Sequence, residues 1–283
     1  MMEARGDSRK AGLVESFSFL FGVAAWIVAI VLFVACFAVS EVGYRLGRRG
    51  KTTGSFRKEH YAAVQAMVAA LLGLLLAFTV SMSVSRFESR KAAVVDEANA
   101  MGTAFLRVSL LPDSEQARTV EAFRAYLDLR LEMAGPERYR SPEPELVGQQ
   151  SALQRQLWAV GVAAAQDAQR AVPSGLYLQA VNEVIDSAGR RDAALRNHIP
   201  ESVLLMLLAV ALATLAVVGY ISGLTGGRSL VASVVLAMVV AIVVFVILDF
   251  DRPYRGVITV SQQSMLDVRD FMAPGLPAPE GKR

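Results

Sequence analysis

The sequence predicts an all-α integral membrane protein with four transmembrane helices and a helical extramembrane insert between the second and third. Of its 283 residues 54% are hydrophobic and the mean hydropathy is +0.40, which is too apolar for an ordinary soluble domain. Four apolar runs approach or exceed the roughly 20 residues that a bilayer core requires. The stretch between the second and third runs keeps the 3–4 spacing of amphipathic helices and shows no strand alternation.

The four apolar runs divide the chain. They are Phe17–Ser40, Tyr61–Ser85, Ser202–Ser222 and Leu230–Leu248. The short connector between the last two predicts an antiparallel helical hairpin. We therefore expect a polar lead, two spans, an extramembrane helical domain, two more spans and a C-terminal segment with a disordered tail. The corresponding ranges are 1–16, 17–85, 86–199, 200–248 and 249–283.

The second span continues beyond the membrane. Apolar residues keep the same helical spacing from Val80 to Val108, and no proline interrupts the chain before Pro112. A proline would break a helix interior. The pattern predicts one helix over Tyr61–Leu111, of about 75 Å at ~1.5 Å per residue, with its second half in the extramembrane domain.

The insert has its own helix signals. Predicted helices run from Asp113 to about Ala134 and from about Leu146 to Arg170, and a third follows Pro173-Ser174-Gly175 and ends near Asn197. Pro200 is expected at the start of the third span, where its missing N–H costs nothing. A short helix near Gln262–Met272 and a Pro/Gly-rich tail complete the chain.

Two faces of the second span differ in side-chain size. The small face is Ala66, Ala69, Gly73 and Ala77, and small residues at this spacing allow close helix packing in membranes. The bulky face is Leu71, Leu75, Phe78 and Met82. This face either meets lipid or surrounds a symmetry axis as a hydrophobic pore constriction.

Charges follow directly after the second span. Ser85, Arg86, Arg90 and Lys91 are candidates for a pore mouth and a basic vestibule that attracts anions. The other interpretation is that these charges mark the membrane boundary and pair along the helix.

No motif supports an enzyme, a metal site or a bound cofactor. Asp249, Asp251, Arg252 and Pro253 form an exit motif after the fourth span. Two carboxylates without a third ligand favour helix capping over a calcium site, because calcium takes 6–8 oxygens. Scattered basic residues exclude a nucleic-acid surface. The expected partners are membrane lipid, further copies of the chain and small inorganic ions.

The side of the membrane that the insert faces is not fixed by charge. Summed over the connectors, Lys and Arg favour a cytoplasmic insert, whereas those flanking the first span alone favour the reverse. We expect a cytoplasmic insert in a multi-pass protein of the bacterial inner membrane.

Several segments resemble a known family. Leu74–Arg107, with Arg86-Phe87-Glu88-Ser89-Arg90-Lys91, resembles the second helix of bestrophin channels. Over roughly residues 15–270 the chain is similar to bacterial bestrophin-like domain membrane proteins. The segments that carry this similarity are Glu97-Ala98-Asn99-Ala100-Met101-Gly102-Thr103-Ala104, Leu111-Pro112, His198-Ile199-Pro200 and Asp249-Phe250-Asp251-Arg252-Pro253.

The resemblance implies a homo-oligomeric channel with cytoplasmic termini, and by position Phe78 and Met82 are its neck candidates. We therefore expect a bestrophin-like ion channel whose pore is lined by the second span, with anion preference suggested by Arg86, Arg90 and Lys91. The alternative is a non-conducting, membrane-anchored interaction or sensor protein.

Overall fold

Helices account for all of the regular secondary structure in the part of the chain that is described. The computed structural model describes residues 24–50, 55–135, 143–226, 230–254 and 256–276. The predicted polar lead, the first residues of the predicted first span and the end of the predicted disordered tail lie outside these ranges. Parts of the 41–60, 135–145 and 223–228 connectors also lie outside them.

Eight α-helices occur in the described residues. They are α1 (Ala25–Arg49), α2 (Ser55–Arg107), α3 (Asp113–Met133), α4 (Pro144–Ala165), α5 (Ala171–Arg196), α6 (Glu201–Thr225), α7 (Leu230–Phe250) and α8 (Gln263–Met272). Short 3₁₀ segments, Val108–Leu110 and Ala168–Arg170, follow α2 and precede α5. The all-α prediction is confirmed, and four helices are long and apolar enough to cross a membrane.

The chain forms two compact units, and α2 contributes to both. The membrane unit contains the chain up to Arg86, then His198–Arg252 and Gly256–Ile258. The extramembrane unit contains Phe87–Asn197, Pro253–Arg255 and the chain from Thr259.

In the membrane unit, α1 packs along α6 and α7. The core is aliphatic and includes Leu32, Leu72, Leu207, Leu215 and Ile247, all nearly free of solvent contact. Helix α1 ends at Arg49, nine residues later than the predicted span. It extends because the residues after Ser40 include no helix-breaking proline and pair with α6.

The extramembrane unit has a larger, partly aromatic core. Phe105, Phe123, Tyr126 and Tyr177 are fully buried within one cluster to which α2, α3, α4, α5 and α8 all contribute. The hydroxyl of Tyr177 donates to the Leu157 carbonyl at 3.1 Å, which satisfies a polar group that burial would otherwise destabilise.

Helix α8 is held on α3 by a side chain at its C-terminal end. The guanidinium of Arg124 donates to the carbonyls of Met272 and Ala273 at 2.8 and 2.9 Å. These carbonyls lack intrahelical partners, so a cation there stabilises the end of α8. The rings of Phe105 and Phe271 meet edge to face, 6.0 Å between centroids.

Two predicted boundaries in the insert were wrong. Helix α4 ends at Ala165, five residues before the predicted end. Helix α5 starts at Ala171, so Pro173-Ser174-Gly175 lies inside its first turns and does not precede the helix. Proline is tolerated there because the first N–H groups of a helix have no intrahelical acceptor.

Candidate functional site

The buried side of α2 in the membrane unit is narrow. Leu72, Leu76, Thr79 and Ser83 are buried, at helical spacing along one side. The Ser83 hydroxyl donates to the Ile247 carbonyl of α7 at 2.9 Å, and Thr79 donates to its own helix at the Leu75 carbonyl. These contacts fix the rotation of α2 about its own axis, and they therefore determine which of its side chains are exposed in the single chain.

The predicted bulky face divides into two pairs. Leu71 and Phe78 are 51% and 63% exposed in the single chain, whereas Leu75 and Met82 are half-buried and pack against the aliphatic core. The division arises because the buried side borders the bulky face. Leu74, which the sequence analysis did not select, is 52% exposed.

The side of α2 opposite its buried residues, here called the outward face, changes character along the span. Its membrane part is Leu74, Phe78, Ser81 and Ser85, all exposed in the single chain. Apolar side chains come first and hydroxyl groups follow toward the end of the span. This face therefore combines a hydrophobic segment with a hydroxyl-bearing one.

The predicted small face also lies free of the chain's own core. Ala66, Gly73 and Ala77 are exposed and Ala69 is half-buried. A methyl group added to Gly73 would meet no described atom within 4 Å. The single chain thus leaves room for a close neighbour along this face.

The close helix contact within the chain occurs elsewhere, between α1 and α6. A Cβ added to Gly43 or Gly47 would lie 2.3 or 2.0 Å from a carbonyl oxygen of α6. A Cβ on Gly219 or Gly223 would lie 2.0 or 2.3 Å from a carbonyl oxygen of α1. The two backbones touch directly, and only glycine fits at all four positions. The Gly-x-x-x-Gly spacing of both pairs was a signal that the sequence analysis missed.

The environments of Arg86 and Arg90 differ from the basic vestibule that the sequence predicted. In the membrane unit, Arg86 is half-buried and donates to the His198 carbonyl. In the extramembrane unit, Arg90 has no solvent exposure and donates to the carbonyls of Ala194 and Asn197 at 3.2 and 2.9 Å. The last carbonyls of α5 lack helical partners and attract cations.

Ser85 and Lys91 remain at the surface. The Lys91 ammonium lies 3.9 Å from the carboxylate of Glu88, and both side chains are more than half exposed. A solvated pair of this kind contributes little stability, so these charges are available to the surroundings of α2.

The extramembrane unit contains a buried charge cluster that the sequence analysis did not anticipate. Glu97 accepts hydrogen bonds from Arg130 at 2.6 and 3.2 Å and from Arg191 at 2.7 Å. Arg130 also donates to Asp192, and Arg191 donates to Gln262 near α8. The cluster joins α2, α3, α5 and the C-terminal segment.

Burial and the neighbouring charges shift the pKa values of Glu97, Arg130 and Tyr126. Burial alone would raise the pKa of Glu97, but the charges and hydrogen bonds of Arg130 and Arg191 hold it below its ordinary value. Burial opposes the charged form of Arg130, yet Glu97 and Asp192 raise its pKa. Burial also raises the pKa of Tyr126 to about 12. Glu97 is therefore ionised, Arg130 protonated and Tyr126 neutral at neutral pH.

The two carboxylates of the exit motif accept hydrogen bonds from backbone N–H groups. In the membrane unit, the Asp249 carboxylate accepts from the N–H groups of Val257 and Ile258, the latter at 2.8 Å. The buried Asp251 accepts from the Ile199 N–H and lies 3.1 Å from His198 Nδ1.

The last two residues of the motif are also buried. Arg252 donates its N–H to the Asp249 carbonyl in the membrane unit. In the extramembrane unit the Pro253 carbonyl accepts from the Val260 N–H. Within the described residues, no three His, Cys, Asp or Glu side chains are grouped as metal ligands would be.

Comparison with known proteins identifies the family. The Bestrophin-like domain profile matches residues 28–265. The chain belongs to the bestrophin-like family. No curated protein matches it in sequence.

Solved structures share the bestrophin-like fold at low identity. A variant of a bacterial Bestrophin homolog from Klebsiella pneumoniae is 14% identical with a TM-score of 0.63, covering 88% of this chain and 97% of its own. A structure described as a membrane protein is 13% identical with a TM-score of 0.65 and the same coverage. The profile match confirms the predicted family, and the structural matches show that the fold is shared.

Proposed function

We propose that the chain is a homo-oligomeric ion channel of the bacterial inner membrane, with its pore lined by the outward face of α2. The observation that carries the proposal is that face itself. It is exposed in the single chain while the opposite side of α2 is buried, and it passes from Leu74 and Phe78 to Ser81 and Ser85. Symmetry-related copies facing an axis would form a hydrophobic constriction followed by a hydrated mouth.

The small face supports the oligomer. It borders the outward face on the helix surface, and Gly73 leaves space for the backbone of a neighbour. Close approach of this kind is how membrane helices associate when water exclusion cannot drive them together. Membership of the bestrophin-like family agrees with a channel.

Conductance of purified protein in planar bilayers tests the pore. Phe78→Ala and Leu74→Ala should increase single-channel conductance, because each shortens a side chain at the constriction in every subunit. Ile242→Ala is the matched control: Ile242 is 54% exposed on α7, outside α2, and its truncation should leave conductance unchanged.

The outcome separates the channel from a membrane-anchored interaction protein. An oligomer that passes no current would favour the interaction protein. Currents that Leu74→Ala and Phe78→Ala leave unchanged would contradict a pore lined by the outward face of α2. A monomer in mild detergent would remove the axis on which the proposed pore depends.

The orientation is a separate part of the proposal. We place the extramembrane unit in the cytoplasm, as the summed Lys and Arg charges favour. Ser114 is exposed on α3, and Cys36 is buried. A cysteine at position 114 in a Cys36→Ala background should resist impermeant maleimides in intact spheroplasts and react after lysis. Reaction before lysis would place the unit outside.

A further inference from the structure

A polar groove runs between α2 and α5 and lies entirely within the extramembrane unit. Its volume is about 590 Å³, which falls in the range of about 300–1,000 Å³ that small-molecule sites occupy. Two buried alanines, Ala100 and Ala180, form its floor. Their small side chains leave space between the two helices.

The two helices run antiparallel along the groove. Arg107 of α2 donates to the Leu176 carbonyl near the start of α5, whereas Glu97 of α2 accepts from Arg191 near the end of α5. Asp96 and Arg107 therefore lie at opposite ends of the groove. They are about 16 Å apart along α2, because their positions differ by 11 residues at ~1.5 Å each.

The charges at the two ends of the groove form no ion pair within the described residues. Asp96 is exposed, and the Arg107 guanidinium donates to a neutral carbonyl. Glu183 and Arg190, the other charged residues of the groove, pair with each other. The groove is therefore negative at the Asp96 end and positive at the Arg107 end.

Uncharged polar side chains lie between the two end charges. Asn99, Thr103 and Gln179 are exposed, and their side chains have no hydrogen-bond partner among the described residues. Each amide side chain offers both a donor and an acceptor, as a peptide bond does. The described lining includes no aromatic residue, so the groove lacks the stacking surface that nucleobases prefer.

We infer that this groove binds short, extended peptides with free termini. The peptide ammonium lies at Asp96 and the peptide carboxylate at Arg107, whose planar guanidinium is suited to both carboxylate oxygens. The peptide bonds pair with the amide and hydroxyl side chains between these ends. An extended chain spans roughly 3.3–3.6 Å per residue, so about four to five residues match the length of the groove. Binding at this groove does not depend on ion conduction.

Isothermal titration of the full-length protein in detergent tests the inference, with tetra-alanine as the probe. Tetra-alanine should bind once per chain, and free alanine, which is too short to reach both ends, should bind at least about tenfold more weakly. Acetylation of the peptide removes its ammonium, and amidation removes its carboxylate. Each change should weaken binding by about tenfold, because one charge-assisted hydrogen bond is lost.

Two variants assign the ends of the peptide. Asp96→Asn should weaken the binding of tetra-alanine by about tenfold but leave the binding of acetylated tetra-alanine unchanged. Arg107→Gln should likewise weaken the binding of tetra-alanine but not of the amidated peptide. Because Arg107 also contacts Leu176, the exposed Asp96 carries the test if Arg107→Gln unfolds. Asp128→Asn on α3 is the matched control and should leave every affinity unchanged.

Four results would overturn the inference without bearing on the channel. They are no binding of tetra-alanine at millimolar concentrations, equal affinities for tetra-alanine and alanine, equal affinities for the free peptide and the peptide blocked at both ends, and an affinity for tetra-alanine that Asp96→Asn leaves unchanged. A protein that binds tetra-alanine as expected but passes no current would overturn the channel and support the peptide site.

Discussion

The Glu97 carboxylate lies 2.6 Å from Nε of Arg130, and neither side chain has more than 2% of its surface exposed. A buried pair of this kind contributes little relative to an apolar replacement, but removal of one partner leaves an uncompensated charge. We expect Glu97→Gln to lower the free energy of unfolding of the extramembrane unit by about 3–5 kcal/mol. Thermal unfolding in detergent measures this. Asp128→Asn removes an exposed carboxylate from α3 and should have no comparable effect.

The same carboxylate predicts how stability depends on pH. Its pKa is lower in the folded protein than its ordinary value, so the unfolded state binds the proton more readily. The stabilisation is present above the ordinary carboxyl pKa, about 4.3, and is lost as the pH falls through the lower folded value. Wild-type Tm should therefore fall with acidification over this window. The Glu97→Gln variant should show a shallower fall, and an equal slope in both proteins would contradict the assignment.

Glycine substitutions test the α1–α6 contact. An alanine at Gly219 would place its Cβ 2.0 Å from the Ser40 carbonyl oxygen, so the two helices would have to separate. We expect Gly219→Ala and Gly47→Ala to destabilise the membrane unit by about 1–3 kcal/mol each. Gly189→Ala on α5 is the control, since its Cβ would meet no described atom within 4 Å. Equal Tm values for Gly219→Ala and Gly189→Ala would refute the close contact.

Gly256 and Asp249 provide a test of the exit motif. Gly256 has a φ of 132°, and a Cβ there would lie 2.1 Å from Asp249 Oδ1. Gly256→Ala should therefore destabilise more than Gly226→Ala. The latter change meets no described atom and costs only the left-handed conformation, about 1–2 kcal/mol.

A double variant separates the clash from the backbone strain. Asp249→Ala removes the carboxylate that a Cβ at position 256 would strike. The double variant Asp249→Ala/Gly256→Ala should then lose less stability than the two single losses added together. Strict additivity in chemical unfolding would show that the carboxylate and Gly256 do not contact.

The sequence predicted the elements that depend on local pattern. Hydropathy located the four membrane helices. Unbroken apolar spacing predicted one helix over Tyr61–Leu111, and α2 runs from Ser55 to Arg107, followed by the 3₁₀ segment Val108–Leu110. These features were accessible because each is encoded within a few turns of chain. The boundary error at Pro173 has a local origin too, since proline marks both a helix break and a helix first turn.

The sequence did not show which groups the individual charged side chains contact. Glu97 pairs with Arg130 and Arg191, which lie far along the chain, and no local spacing indicates such partners. Arg90 resembled a vestibule charge because the α5 carbonyls that it binds are a backbone feature without a sequence signature. The Gly-x-x-x-Gly pairs of α1 and α6 are visible in the sequence, but the sequence analysis considered only the small-residue face of the second span and missed them.

The core of the extramembrane unit is completed late in synthesis, because it includes residues of α8. Its buried residues run from Val94 to Met272, and Arg124 holds the end of α8. The ribosome therefore completes α6 and α7 before it makes Met265 and Met272. Until then Phe105 and its neighbours lack part of their cover, and exposed apolar surface of this kind binds chaperones or aggregates. Truncation before α8 should consequently reduce the yield of inserted protein more than its ten residues suggest.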